Sequence, residues 1–132
     1  MPGRNWTALA LDWSVMADFQ QLDVYRCSLV FVRWVADLLP TLTRPYGELA
    51  DQLRRASISV PLNIAEATGR RGKDRLHLNA IAYGSAKECM AILDVMGEMR
   101  ISDEKTLEEG HRNLDRIIAM LAVMSELRVR PS

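Results

Sequence analysis

The segment that decides the fold is residues 46–70, which read YGELADQLRRASISVPLNIAEATGR. Its apolar residues recur every three or four positions, the spacing of one face of an α-helix. They are Leu49, Leu53, Ala56, Val60 and Ile64. This spacing continues in phase across Pro61, and Gly69 stands where a helix commonly ends. We therefore predict one helix over Glu48–Thr68, kinked at Pro61 because proline cannot donate the backbone hydrogen bond of a regular turn.

The same periodicity occurs on both sides of this segment. It predicts further helices over Leu22–Leu39, over Lys73–Met99, and from Ser102 or Asp103 to the tail near Arg128. Alternating apolar and polar residues between hairpin turns, the pattern of β-strands, do not occur. Short connections between helices of similar length make consecutive helices neighbours. We therefore predict an all-α fold, an antiparallel up-down four-helix bundle over residues 21–130.

A glycine in the middle of the third predicted helix needs an explanation. Glycine costs about 1 kcal/mol relative to alanine in a helix interior. Gly84 lies beside Ser85, and two small residues allow helices to approach closely. We therefore predict that another helix packs tightly against Gly84.

The first twenty residues differ from the rest of the chain. They mix Trp6, Trp13 and several aliphatic residues without a helical period. We predict that residues 1–20 form an N-terminal extension that is at most partly ordered. Met16 would make a natural start just ahead of the first helix, which gives the hypothesis that residues 1–15 lie upstream of the native protein.

Composition and charge narrow the class of protein. The chain has 132 residues and a formal net charge of zero, so no global field attracts polyanions. Its longest apolar run, around Leu29–Val32, is far shorter than the roughly 18 residues of a membrane span. No secretory signal is evident, so we expect a cytoplasmic protein. Cys27 and Cys89 both lie in apolar helical patterns, and we expect reduced, structural thiols.

Motifs for catalysis or metal binding are weak. A di-metal site in a four-helix bundle needs two Glu-x-x-His motifs, and this chain has one, Glu108 with His111. Ser59, Ser85 and Cys89 have no histidine placed by the sequence as a base. We expect no catalytic residue, no metal site and no cofactor, and hence no enzyme.

A basic cluster lies between the second and third predicted helices. Residues 69–75 carry four positive charges and one negative charge, a local sum of +3. The residues that could contact RNA or DNA phosphates are Arg70, Arg71, Lys73 and Arg75. Such contacts would be weak and would weaken further with salt. The alternative is a solvated loop, and the acidic run around residues 103–109 opposes a polyanion partner.

The second predicted helix carries a line of polar residues, Arg55, Ser59, Asn63 and Glu66, bordered on both sides by apolar residues. The apolar surface of the first two helices exceeds what one bundle seam buries, and large exposed apolar patches are uncommon on monomers. We therefore predict an interface between copies of the chain. Its candidate residues are Val30, Trp34, Arg55, Ile58, Ser59, Leu62, Asn63 and Glu66.

Several stretches together carry a family resemblance. They are Leu22, Val24-Tyr25, Tyr46-Gly47, residues 52–56, Ser59-Val60-Pro61, residues 63–66, Gly69-Arg70, Ile81-Ala82, Gly84-Ser85 and Glu88. The chain resembles the four-helix bundle protein family, which includes proteins encoded in intervening sequences of bacterial 23S rRNA genes. That family is similar in fold to the accessory variability proteins of diversity-generating retroelements. One departure is Ala67, where the family usually has glycine.

The resemblance implies a homopentamer without a known enzymatic reaction, and it implies association with RNA or DNA. The retroelement relatives are strongly basic, whereas this chain is neutral. Three functions stay open. The first is a non-enzymatic oligomeric protein of scaffold or assembly type, the second is a nucleic-acid-associated accessory protein, and the third is a bundle enzyme that binds a metal or small molecule.

Overall fold

The protein is a bundle of four helices. The computed structural model describes residue 19, residues 22–42 and residues 44–126. Its helices are α1 (Asp23–Leu38), α2 (Gly47–Thr68), α3 (Gly72–Glu98) and α4 (Glu104–Met124), and a single 3-10 turn (Leu39–Thr41) follows α1. The described ranges contain no strand. This confirms the predicted all-α four-helix fold.

A capping residue and two prolines determine how the helices begin, end and continue. Asp103 caps α4, because its side chain accepts a hydrogen bond from the Thr106 backbone N–H at 2.7 Å. Pro40 ends the regular part of the first helix and lies in the 3-10 turn. Pro61 lies inside α2, which continues through it as one helix. The bend of α2 at Pro61 stays a prediction.

Each helix packs against the next one in the chain, and α4 packs back on α1. Along α3, contacts with α4 are made by Asn79, Asp94 and Gly97, which meet Met124, His111 and Leu107 in that order. Residue numbers therefore rise along α3 while they fall along α4. The antiparallel up-down arrangement of the bundle as a whole stays a prediction.

The core is formed by the predicted apolar stripes. On α2, Leu53, Val60 and Ile64 are almost wholly inaccessible to solvent. They meet side chains of the other helices, among them Phe31, Val35, Cys89, Leu93, Met96, Leu114, Ile117 and Leu121. Hydrophobic burial of this kind is the main stabilising contribution to a bundle.

The predicted close packing at Gly84 is wrong. A methyl group added to Gly84 would meet no atom within 4 Å in the described part of the chain, because Gly84 lies on the outer side of α3. The tight glycine is Gly110 on α4. A methyl there would lie 2.6 Å from Trp34 Cη2 and 2.9 Å from Leu93 Cδ1. Helix phase decides this: Gly84 stands between buried Ala82 and Ala86 and is directed away from the core.

The predicted N-terminal extension lies outside the described residues except for Phe19. The ring of Phe19 meets the ring of Tyr25 edge to face, with centroids 5.1 Å apart. The hypotheses about residues 1–15 and about a start at Met16 stay untested. A membrane-spanning helix, which must be both long and strongly apolar, is absent from the part of the chain that the structure describes.

Candidate functional site

The connection between α2 and α3 is held by Arg75. Its Nε donates to the carbonyl oxygens of Ala67 at 3.1 Å and Arg70 at 2.9 Å, and its Nη2 donates to that of Thr68 at 3.0 Å. The last carbonyl groups of a helix lack hydrogen-bond donors within the helix. The Arg75 guanidinium supplies these donors at the end of α2. The sequence predicted Arg75 as a phosphate contact. The structure shows that two of its three guanidinium nitrogens donate within the loop while the side chain stays exposed, and the phosphate contact stays a prediction.

The other three basic residues of the loop differ from one another. Arg70 Nη2 lies 3.4 Å from Glu66 Oε1, an exposed ion pair of modest strength. Arg71 and Lys73 are exposed, and neither side chain has a hydrogen bond or ion pair to another described residue. Between them, Gly72 takes a φ of +56°, a left-handed conformation that favours glycine. All four basic side chains are exposed, and Arg71 and Lys73 are the two whose side chains have no partner among the described residues.

The polar line of α2 is joined to α3 inside one copy of the chain. Asn63 Nδ2 donates to the Ser59 carbonyl oxygen at 2.8 Å and to Ser59 Oγ at 2.9 Å. Ser85 Oγ on α3 donates to Ser59 Oγ at 2.9 Å. The Ser59–Ser85 hydrogen bond therefore links α2 to α3, and Asn63 bonds to Ser59 within α2. The predicted role of Ser59 and Asn63 in a contact between copies stays a prediction.

Three of the predicted interface residues are exposed apolar side chains. Val30 is 58% exposed, Ile58 37% and Leu62 62%. Trp34 differs, because it is half-buried, stacks on Phe31 with centroids 5.6 Å apart and covers Gly110. The Trp34 ring therefore packs against its own bundle, and its predicted part in a contact between copies stays a prediction. Further exposed apolar side chains that the sequence analysis did not single out are Leu29, Ile81, Val95, Met99 and Val123.

Charged residues accompany the exposed apolar ones on α2. Arg54 and Arg55 both reach Asp51, at 2.6 Å and 2.9 Å, so two guanidinium groups share one carboxylate. The Arg54 hydrogen bond, followed by the charges of both arginines, holds the pKa of Asp51 below its usual value. This group keeps a net positive charge on the outer side of α2. Glu66, the last predicted interface residue, is exposed and faces Arg70.

His111 joins α4 to α3. Its Nδ1 lies 2.8 Å from the Leu107 carbonyl oxygen and its Nε2 lies 2.9 Å from Asp94 Oδ1. Both partners accept hydrogen bonds, and only the charged imidazolium can donate from both nitrogens. The hydrogen bond to Asp94 is the main cause of the raised pKa of His111. The sequence missed this pair because Asp94 lies seventeen positions away on another helix.

Glu108 and His111 line a hollow of about 760 Å³ between α3 and α4. Both ring nitrogens of His111 are engaged in hydrogen bonds, with the Leu107 carbonyl oxygen and with Asp94. Among the described residues, no group of three or more His, Cys, Asp or Glu side chains is arranged to hold a metal ion.

Ser59, Ser85 and Cys89 are each hydrogen-bonded or buried. Ser59 Oγ accepts hydrogen bonds from Ser85 Oγ and from Asn63 Nδ2. The Cys89 thiol is buried in the core, and loss of solvent raises its pKa to about 12. A nucleophile needs a neighbouring base or a lowered pKa. Neither condition is met at these three side chains.

Comparison with known proteins gives a family and a fold. The sequence profile described as 23S rRNA-intervening sequence protein matches residues 20–123. The chain is similar to a crystal structure of a protein of unknown function from the S23 ribosomal protein family of Bacteroides thetaiotaomicron. That match has a TM-score of 0.71 at 22% identity and covers 78% of this chain and 98% of the other, so it shows the fold alone. No curated protein matches the chain.

Proposed function

The chain belongs to the 23S rRNA-intervening sequence protein family, and we propose from that premise that it is a non-enzymatic subunit of a homo-oligomer with a scaffold or assembly role in the cytoplasm. The observation that carries the proposal is the exposure of Val30, Ile58 and Leu62 on the outside of an otherwise well-buried bundle. Association that covers such side chains removes apolar surface from water, and each square ångström of it contributes roughly 25 cal/mol. The family resemblance favours a homopentamer.

The environments of the nucleophilic residues support a non-enzymatic role. Ser59 and Ser85 are used to hold α2 against α3. Cys89 fills core space, and burial disfavours its reactive thiolate. His111, whose pKa is raised chiefly by its hydrogen bond to Asp94, serves as a link between helices.

Light scattering on the purified full chain tests the proposal. One chain has a mass of 14.9 kDa. We expect a mass that is a multiple of this value at micromolar concentration, and five chains if the resemblance extends to assembly. A monomeric mass would contradict the proposal, whereas a dimer or trimer would contradict only the pentamer.

A second function rests on Arg71 and Lys73, whose charges are exposed and unpaired within the described residues. In a ring, symmetry would repeat this pair on one rim and concentrate positive potential there. The protein would then bind RNA or DNA weakly and without sequence preference. The affinity would fall steeply with salt, because phosphate contacts release counterions.

A gel shift in about 50 mM salt, where phosphate contacts are strong, tests this second function. We expect the double replacement Arg71→Ser with Lys73→Ser to abolish binding. The matched control is Arg112→Ser with Arg116→Ser, which removes the same charge from exposed positions on α4. Equal loss in both variants, or no binding by the parent protein, would refute a specific role of the loop.

A further inference from the structure

Exposed apolar side chains lie on two different sides of the bundle. One side, which we call the α2–α3 face, contains Ile58 and Leu62 of α2 and Ile81 of α3. Ile58 and Leu62 flank Ser59, and Ile81 stands one helical turn before Ser85. Because Ser59 and Ser85 are hydrogen-bonded, these apolar side chains belong to one continuous surface.

The second side, which we call the α1–α4 face, contains Val30 of α1 and Val123 of α4. Val30 precedes Trp34 by one helical turn, and the Trp34 ring covers Gly110 of α4. Val30 therefore lies on the side of α1 that borders α4. This face is separate from the α2–α3 face, although the sequence analysis grouped Val30 with Ile58 and Leu62.

One part of each face differs in the sign of its charge, although Glu66 also lies beside Leu62 and Arg33 lies one turn from Val30. A hollow of about 440 Å³ on the α1–α4 face is lined by three carboxylates, Asp37, Asp103 and Glu109, together with apolar and hydroxyl side chains. No lysine or arginine lines this hollow among the described residues. The α2–α3 face has Arg54 and Arg55 beside Ile58, and together with Asp51 they carry a net positive charge.

These charges also lie at the same end of the bundle. Asp37 is at the end of α1, and Asp103 and Glu109 are at the start of α4. Arg54 and Arg55 lie in the first half of α2, which begins shortly after α1 ends. Two copies placed side by side with the same orientation therefore bring the arginines of one to the level of the carboxylates of the other.

We propose that the α2–α3 face of one copy docks on the α1–α4 face of the next, with Arg54 and Arg55 against the acidic hollow. This inference rests on the proposed homo-oligomer and specifies its contact. A contact between unlike faces leaves one face of each kind free at the two ends, so it repeats until the assembly closes as a ring. A two-fold contact through the α2–α3 faces alone would leave the acidic hollow, Val30 and Val123 uncovered.

A complementation experiment tests the pairing. Leu62→Asp places a charge on the α2–α3 face, and Val30→Asp places one on the α1–α4 face. Both side chains are exposed, so each variant should keep its helical circular dichroism. We expect each variant alone to have the mass of one chain. An equal mixture should form a species of two chains, because one intact face remains on each partner.

The matched control is Leu29→Asp, an equally drastic change at an exposed apolar residue of α1, displaced by about 100° around the helix from Val30 and away from Trp34. It should keep the parental mass. A charge exchange adds a second test: Arg55→Glu should raise the chain concentration needed for half-assembly at least tenfold, and adding Glu109→Arg to the same chain should restore the parental value.

The outcomes separate the two proposals. If the parent protein is monomeric, the homo-oligomer itself is wrong. If the parent assembles but Val30→Asp alone forms dimers, the contact is two-fold between α2–α3 faces and the pairing of unlike faces is wrong. If the mixture stays monomeric, or if either variant keeps the parental mass, the faces named here do not form the contact.

Discussion

Gly110 gives the sharpest prediction about what holds the bundle together. The change is Gly110→Ala, which adds one methyl group where α4 meets α1 and α3. That methyl would lie 2.6 Å from Trp34 Cη2, 2.8 Å from Trp34 Cζ2 and 2.9 Å from Leu93 Cδ1. Carbon atoms in favourable contact are about 3.5–4.0 Å apart. The Trp34 ring must therefore move by about 1 Å or leave its stacked position on Phe31.

Two opposing effects set the magnitude. Alanine is favoured over glycine in a helix interior by about 0.5–1 kcal/mol. Overpacking a well-packed contact costs about 1–3 kcal/mol. Because the crowded atoms belong to two helices, we expect the packing cost to exceed the helix preference. The net loss in the free energy of unfolding should be about 1–2 kcal/mol.

A double-mutant cycle with Trp34→Leu isolates the crowding from the helix preference. Leucine keeps apolar volume but removes the ring atoms nearest Gly110, so Gly110→Ala should cost about 1–2 kcal/mol less in that background. Urea unfolding at one protein concentration measures all four proteins. The control is Gly97→Ala, whose methyl would lie 3.6 Å from Leu107 Cδ1, an ordinary contact. Equal effects of Gly110→Ala in both backgrounds would refute the packing argument.

Three further predictions follow from the loop, the helix link and Gly84. Arg75→Lys should destabilise the protein by about 1–2 kcal/mol, since lysine cannot serve the three carbonyls at the end of α2; an unchanged melting temperature would contradict this. The pKa of His111 is raised by Asp94, so the pair stabilises the fold fully below the unfolded value of about 6.5 and loses this contribution as pH rises through the folded pKa. Asp94→Asn should remove this pH dependence, which amounts to at most about 1 kcal/mol for so accessible a pair, as unfolding on both sides of neutral pH would show. Gly84→Ala should not destabilise, and a lowered melting temperature would indicate that Gly84 is covered in the assembly.

The sequence by itself determined the helices and their buried stripes. Apolar spacing at Leu53, Val60 and Ile64 predicted α2 and its core face, and a capping residue at Ser102 or Asp103 predicted the start of α4, where Asp103 is the cap. These features depend on residues three or four positions apart, which the helical repeat places on one face or in one turn. Residues close together in the sequence are therefore sufficient to predict the helices, their core faces and their caps.

Only the tertiary structure decided which glycine is closely packed and which polar side chains are hydrogen-bonded to another element. The closely packed glycine is Gly110 rather than the predicted Gly84, and the Trp34 ring packs against its own bundle. Arg75 bonds to the end of α2, and His111 bonds to Asp94. Each of these results depends on the rotation of one helix about its axis relative to another. Helical periodicity shows which side of a helix a residue occupies, but it does not show which residue of another helix lies opposite. That partner depends on how side chains from different helices fill the shared core.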